Sequence, residues 1–197
     1  MNTERALNEN VIGCGSDPRI ELKILKEAMN MEFELRDWKL SDAQSIVPLA
    51  NNEKIAGNLR NTFPYPYTLD DAHLFITKSI HQHKRKQLNQ AIIIDGSASG
   101  SISLLMQDDV SCKSGELGFW LGEPFWGKGI MTRAIKEICE TAFADSNSVR
   151  IYARPFAENE KARKTLEKAG FQLEGIFKNS IYKNGRVMDS CMYALTR

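Results

Sequence analysis

Residues 118–135 read GFWLGEPFWGKGIMTRAI, an aromatic run that breaks into Gly-Lys-Gly and at once takes up helical spacing. Upstream, SGELGFWL (114–121) alternates like a strand. Downstream, Ile130, Ala134, Ile135, Ile138, Cys139, Ala142 and Phe143 fall on one face of a helix expected from about 129 to 144. A strand that turns through glycines straight into a helix leaves the first helical amides unpaired, aimed along the positive end of the helix dipole. Such a terminus favours an anion. Glycine at 127 and 129 removes the side chains that would keep a ligand away from those amides, and Lys128 either adds charge or points to solvent. The alternative is a glycine turn with no ligand. A Walker A loop does not fit, because it needs four residues between its glycines and a lysine followed by Ser or Thr. Gly-x-Gly-x-x-Gly fails too, since Thr132 stands at the third glycine position.

A second strand-to-helix unit follows. SVRIYAR (148–154) reads as a strand, and Pro155 leads to a helix over NEKARKTLEKAG (159–170) that Gly170 ends. Asn159 is placed either to cap this helix or to bind a ligand amide, and Lys161, Arg163, Lys164 and Lys168 make its exposed side basic. Toward the N-terminus, MEFELRDW (31–38) alternates as a strand, and Ser41-Asp42 caps a helix reaching about Ala50. Thr68, with Asp71 three residues on, opens a helix to about residue 87. QAIIID (90–95) and SGSISLLMQ (99–107) pair as a hairpin joined by Gly96 and Ser97. FQLEGIFKN is a strand, and SIYKNGRVMDSCMYALT closes the chain as a hairpin turning at Asn184-Gly185. The order β-α-α-β-β-β-α-β-α-β-β predicts an α+β (mixed α/β) fold: a mixed sheet flanked by helices.

At 197 residues the chain is expected to form one domain, residues 31–197, after an extension of unknown role at 1–30 in which a short helix fits 19–30. A net charge of +1 supplies no field for steering toward nucleic acid or an anionic membrane. Cys14, Cys112, Cys139 and Cys191 show no Cys-x-x-Cys spacing, which fits reduced thiols in the cytoplasm rather than a disulfide framework. His73, His81 and His83 sit in one polar segment without partners at ligand spacing, so no metal is expected. No apolar run reaches membrane-spanning length.

Three pieces, in this order, carry a family resemblance: LRDWKLSDA with FPYPYTLDDA, ELGFWLGEPFWGKGIMTRAI, and NEKARKTLEKAGFQLEG. Residues 33–197 resemble the GNAT superfamily of acetyl-CoA-dependent N-acetyltransferases, most of all the branch of ribosomal-protein alanine and serine N-terminal acetyltransferases. The resemblance implies a mostly antiparallel, twisted central sheet, splayed in the middle. It also implies that the anion is the diphosphate of acetyl-CoA, held by Trp126, Gly127, Lys128, Gly129, Ile130, Met131 and Thr132. Trp126 and Met131 depart from the family pattern at the ends of this turn; tryptophan replaces a charged phosphate contact, so main-chain amides must carry more of the binding. By the same resemblance Phe119, Trp120 and Leu121 lie along the pantetheine arm, in a slot made where their strand splays from 150–154. Asn159 falls on a cofactor-contacting asparagine, and Lys164 reaches toward the phosphates.

Acetyl transfer needs an unprotonated amine, a polarised thioester carbonyl and a proton for the departing thiolate. The expected oxyanion donor is the amide of Trp120 or Leu121. Glu116, on the strand entering the site, is the candidate base, directly or through a water; it also reads as an ordinary strand-edge carboxylate. The tyrosine that many family members carry near this chain's Leu166–Glu167 is absent, and Ala162 replaces a serine frequent in the closer branch. Tyr182 on the last hairpin is the remaining candidate acid. Tyr65 and Tyr67 are expected in the acceptor wall or in a packed loop, and Asp189 either orients a substrate amine or pairs with Arg186. The expected partner is an amine acceptor, a small molecule or a protein N-terminus, served by a monomer or homodimer. The alternatives are polyamine acetylation, with Asp108, Asp109, Glu116 and Glu123 as an acidic mouth, or a non-catalytic acyl-CoA-binding module.

Overall fold

The structure is a computed structural model and describes residues 31–82, 87–145 and 148–197. The expected extension at 1–30, Cys14 and His83 lie outside the described residues. Strands are β1 (Glu34–Asp37), β2 (Gln87–Ile94), β3 (Ser97–Met106), β4 (Ser114–Leu121), β5 (Arg150–Ala153), β6 (Gln172–Lys183) and β7 (Arg186–Thr196). Helices are α1 (Ala43–Ala50), α2 (Glu53–Ala56), α3 (Leu69–His81), α4 (Ile130–Asp145) and α5 (Glu160–Lys168). The strands form one sheet in the order β1-β2-β3-β4-β5-β7-β6. Every neighbouring pair is antiparallel except β4 and β5. This is the expected mixed sheet, with the parallel step in its middle.

Turn chemistry sets the two hairpins. Asp95-Gly96 and Asn184-Gly185 both have positive φ at each central residue (50° and 76° in each case), the two-residue turn that matches strand twist. The first turn therefore lies one residue before the expected Gly96-Ser97, because aspartate tolerates the left-handed region and serine rarely does. The Thr68 box forms: the Asp71 carboxylate accepts from the Thr68 amide at 2.9 Å, and Thr68 Oγ1 accepts from the Asp71 amide at 3.3 Å. Helix α3 nevertheless stops at His81, short of the expected 87. Helix α2 escaped the sequence reading because four residues are too few for periodicity; Asn52 caps it through the Lys54 amide.

Burial on both faces of β2 and β3 explains their apolar runs. Ala91, Ile93 and Ala98 pack with Ile46, Ala72 and Ile76 of α1 and α3. Ile92, Ile94, Ile102 and Leu104 pack on the other face with Ile130, Ile135, Ile138 and Leu166 of α4 and α5. Each of these isoleucines contributes about 2–3 kcal/mol by leaving water. The sheet is thus a two-sided wall between the α1–α3 layer and the α4–α5 layer. Among the described residues no helix is long and apolar enough to cross a membrane.

Candidate active site

β4 and β5 pair at only three positions: Ser114 with Arg150, Gly115 with Ile151, and Glu116 with Tyr152. Beyond Glu116 the two strands part. β5 continues against β7, and β4 continues against β3 through Leu121. The length of β4 from Leu117 to Leu121 therefore has a ladder partner on one side and an open slot on the other, where the splay was expected. Alternation along β4 sends Leu117, Phe119 and Leu121 toward the α4–α5 layer and Glu116 and Trp120 toward the α1–α3 layer.

The glycine turn closes the far end of this slot. Gly127 and Gly129 have φ of 76° and 73°, and a Cβ built on either would meet nothing within 4 Å. Both left-handed conformations suit glycine, and both residues face open space rather than packed neighbours. The Arg133 amide bonds the Gly129 carbonyl at 3.2 Å and so begins the helical ladder; the amides of the turn before it lie at the helix mouth. Trp126 is not merely a lost phosphate contact. Its indole N–H donates to the Leu121 carbonyl at 2.6 Å, tying the turn to the end of β4. The Lys161 ammonium sits 4.4 Å from the centre of the same ring, bringing a cation to the turn from α5. Lys128 lies over Phe125 at 5.6 Å.

Two residues expected at the phosphates behave differently. Lys164 turns back to Glu160 on its own helix at 3.2 Å, with both side chains largely exposed. Asn159 caps α5: its Oδ1 accepts from the Ala162 amide at 3.1 Å, which leaves its NH2 group and one oxygen lone pair for other partners.

On the α1–α3 side, the Glu116 carboxylate is 14% exposed and binds two guanidiniums through one oxygen, Oε1: Arg60 at 2.5 Å and Arg154 at 3.2 Å. Tyr152 stands across the parallel ladder from Glu116, and burial, then the Glu116 charge, raises its phenol pKa. Tyr152, Arg60 and Arg154 were invisible to the sequence reading, because only the sheet order brings them beside Glu116.

The FPYPYT loop divides. Phe63 meets Trp120 edge to face at 5.8 Å and stacks on Tyr67 at 4.9 Å. Tyr67 is 4% exposed and packs in the core, the second of its two expected places, and burial pushes its phenol up to about 12. Tyr65 is exposed and lines a cavity of about 390 Å3 with Phe63, Pro64, Asn61, Lys183 and Asn184. Tyr182 is 70% exposed and lies on the strand face opposite Lys183, away from that cavity. Asp189 takes Lys178 at 2.8 Å, and Arg186 takes Glu158 at 3.1 Å, so the Asp189–Arg186 alternative does not occur.

The acidic mouth does not assemble either. Asp108 and Asp109 precede the start of β4 and Glu123 follows its end, a strand length of roughly 25 Å apart. Glu123 is bound by Lys54 and Asn52, which hold its carboxyl below the ordinary range. Among the described residues no group of three His, Cys, Asp or Glu converges to hold a metal ion.

Comparison with known proteins agrees with this geometry. A Bacillus subtilis (strain 168) protein named "Putative ribosomal N-acetyltransferase YdaF" is 34% identical over 110 residues, 56% of this chain and 60% of that protein. The chain therefore spans less than two thirds of that relative's length. Spermidine N(1)-acetyltransferase of Escherichia coli (strain K12) is 26% identical over 155 residues, 78% of this chain and 80% of the relative. The crystal structure of the microcin C7 self-immunity acetyltransferase MccE, in complex with acetyl-CoA and AMP, superposes with a TM-score of 0.75 at 26% identity, covering 86% of this chain and 94% of that one. Residues 32–172 match the acetyltransferase (GNAT) domain, a splayed sheet and an outward-facing glycine turn are both in place, and the chain belongs to the GNAT family.

Proposed function

We propose that this protein is an acetyl-CoA-dependent N-acetyltransferase that moves an acetyl group to a primary amine by direct attack on the thioester. The observation that carries this reading is the parting of β4 from β5 after Glu116, with the glycine turn at the exit of β4. An extended pantetheine arm fits the open edge of β4 as an added strand, and a diphosphate fits the space over Gly127 and Gly129. Acetyl-CoA supplies an activated acyl group and a thiolate leaving group; MccE, which resembles this chain, is described in complex with it.

The residues then divide the work. The amides from Gly127 to Thr132 and the Lys161 charge hold the phosphates, while Phe119, Trp120 and Leu121 flank the slot. A main-chain amide at Trp120 or Leu121 stabilises the oxyanion. Glu116 stands at the apex of the fork on the acceptor side. Its Oε1 is bound to the two arginines, and its Oε2 accepts the amine proton directly or through a water. For the thiolate, Tyr152 at the same apex is a better-placed proton donor than Tyr182, and its raised pKa keeps the hydroxyl protonated.

Release of free thiol from acetyl-CoA in the presence of amines tests the reading; no release with any amine overturns it. Glu116→Gln is expected to lower kcat at neutral pH by about 100-fold while acetyl-CoA affinity changes less than about threefold. A pH–rate profile unchanged by this substitution removes Glu116 as the base.

A further inference from the structure

Lys183 is 8% exposed, yet among the described residues no carboxylate lies within ion-pair distance of it. It lines the cavity of about 390 Å3 bounded by α2, the 61–65 loop and the β6–β7 turn. Its aliphatic stem is packed away while the ammonium keeps contact with solvent, as long charged side chains do, and no carboxylate among the described residues neutralises it. The cavity's one acidic residue, Glu53, is exposed on α2, where water screens its charge, whereas Lys183 is a largely buried residue of the wall. Asn61 and Asn184 add neutral polar groups, and Tyr65 adds a ring with a hydroxyl. The volume suits a small metabolite or the first residues of a peptide.

One loop links the wall of this cavity to the fork. Phe63 forms part of its wall and touches Trp120 on the open length of β4, and Arg60, three residues earlier, binds Glu116. Arg60 and Arg154 bring two positive charges to the single carboxylate Glu116. The acceptor side is therefore net positive at the fork, and at the cavity the largely buried Lys183 side chain is set against one exposed glutamate, Glu53.

We propose that the cavity is an anion subsite for the acceptor: the amine this protein acetylates carries a carboxylate or phosphoryl group that the Lys183 ammonium binds. A polycation is the wrong partner, because it would meet Lys183, Arg60 and Arg154 with like charge. The inference rests on the acetyltransferase reading for the word acceptor, but its test reads binding and not turnover.

The test is calorimetry on the full chain saturated with coenzyme A, titrated with the dipeptide Ala-Glu, with phosphoethanolamine and with spermidine. At least one of the two anionic amines is expected to bind about tenfold or more tightly than spermidine, and which one wins separates a carboxylate from a phosphoryl ligand. Lys183→Met keeps the length of the side chain without its charge and is expected to weaken that binding about tenfold. Lys183→Arg keeps the charge and is expected to stay within about threefold of wild type. Tightest binding by spermidine, no binding of either anionic amine, or equal affinity in Lys183→Met overturns the proposal. The ranking in wild type decides even if a variant fails to fold. Absence of acetyl transfer alongside anion binding would sink the enzymatic reading and leave the subsite standing.

Discussion

The chain turns from strand to helix twice across the slot, at β4–α4 and at β5–α5, and the two junctions use their amides differently. At β5–α5 the Asn159 side chain caps its own helix through the Ala162 amide. At β4–α4 the residues before the helix are Gly127, Lys128 and Gly129, and the glycines face open space. A capped terminus is satisfied by the fold, whereas one opened by glycines has no side chain there to cap its amides. Two junctions that look equally suited to anions in sequence are therefore unequal in structure: one faces open space, the other is capped by its own side chain.

The sharpest way to break this contrast is at Gly129. Because a Cβ there meets no protein atom within 4 Å, a side chain costs the fold only the strain of a left-handed conformation, about 1 kcal/mol. Gly129→Asp is expected to weaken acetyl-CoA binding by about 100-fold or more, since it places negative charge where a diphosphate would sit. Gly129→Ala, which adds bulk without charge, should cost much less. Undiminished affinity in a folded Gly129→Asp protein, measured by calorimetry, would show that the turn is not the phosphate site.

The complementary substitution at the other junction should reverse the pattern. Asn159→Ala removes the cap, and a loss of about 1 kcal/mol in stability is expected by denaturant unfolding. Asn159→Asp retains a capping oxygen and should lose little. Acetyl-CoA affinity in either variant is expected to stay within about threefold of wild type. A large affinity loss with stability intact would instead assign Asn159 to the ligand.

What sequence could and could not reveal follows from the range of each interaction. The glycine turn was readable because positive φ leaves a compositional mark, and α4 because its apolar face repeats over four turns. Asn159 was ambiguous for a chemical reason, since the same amide oxygen serves a cap or a ligand. Tyr65 and Tyr67 were indistinguishable because their fates depend on Phe63, which stacks on one of them from within the same loop. The partners of Glu116 come from 56 residues upstream and 38 residues downstream, so nothing in its neighbourhood announced that it would be shared by two arginines. Lys183 stands beside an Asn-Gly turn, where nothing in the sequence marks it for burial, and only the tertiary fold buries it.

The smallest expected effect concerns the two lysines of α5. Lys161 and Lys164 are three residues apart, so both project from neighbouring positions on the helix, and the family resemblance favoured Lys164. Tertiary contacts favour Lys161 instead. Lys161 lies over the Trp126 ring at the glycine turn, and Lys164 is engaged with Glu160 on the exposed surface. A cation close to a phosphate gains Coulomb energy that one screened by water and already paired does not. Lys161→Ala is therefore expected to weaken acetyl-CoA binding by roughly three- to tenfold, and the loss should shrink as salt is raised. Lys164→Ala should change affinity by less than about twofold at any salt concentration. If the two variants lose affinity equally, the charge at the turn is a property of the whole helix surface, and the contact with Trp126 has no special part in it.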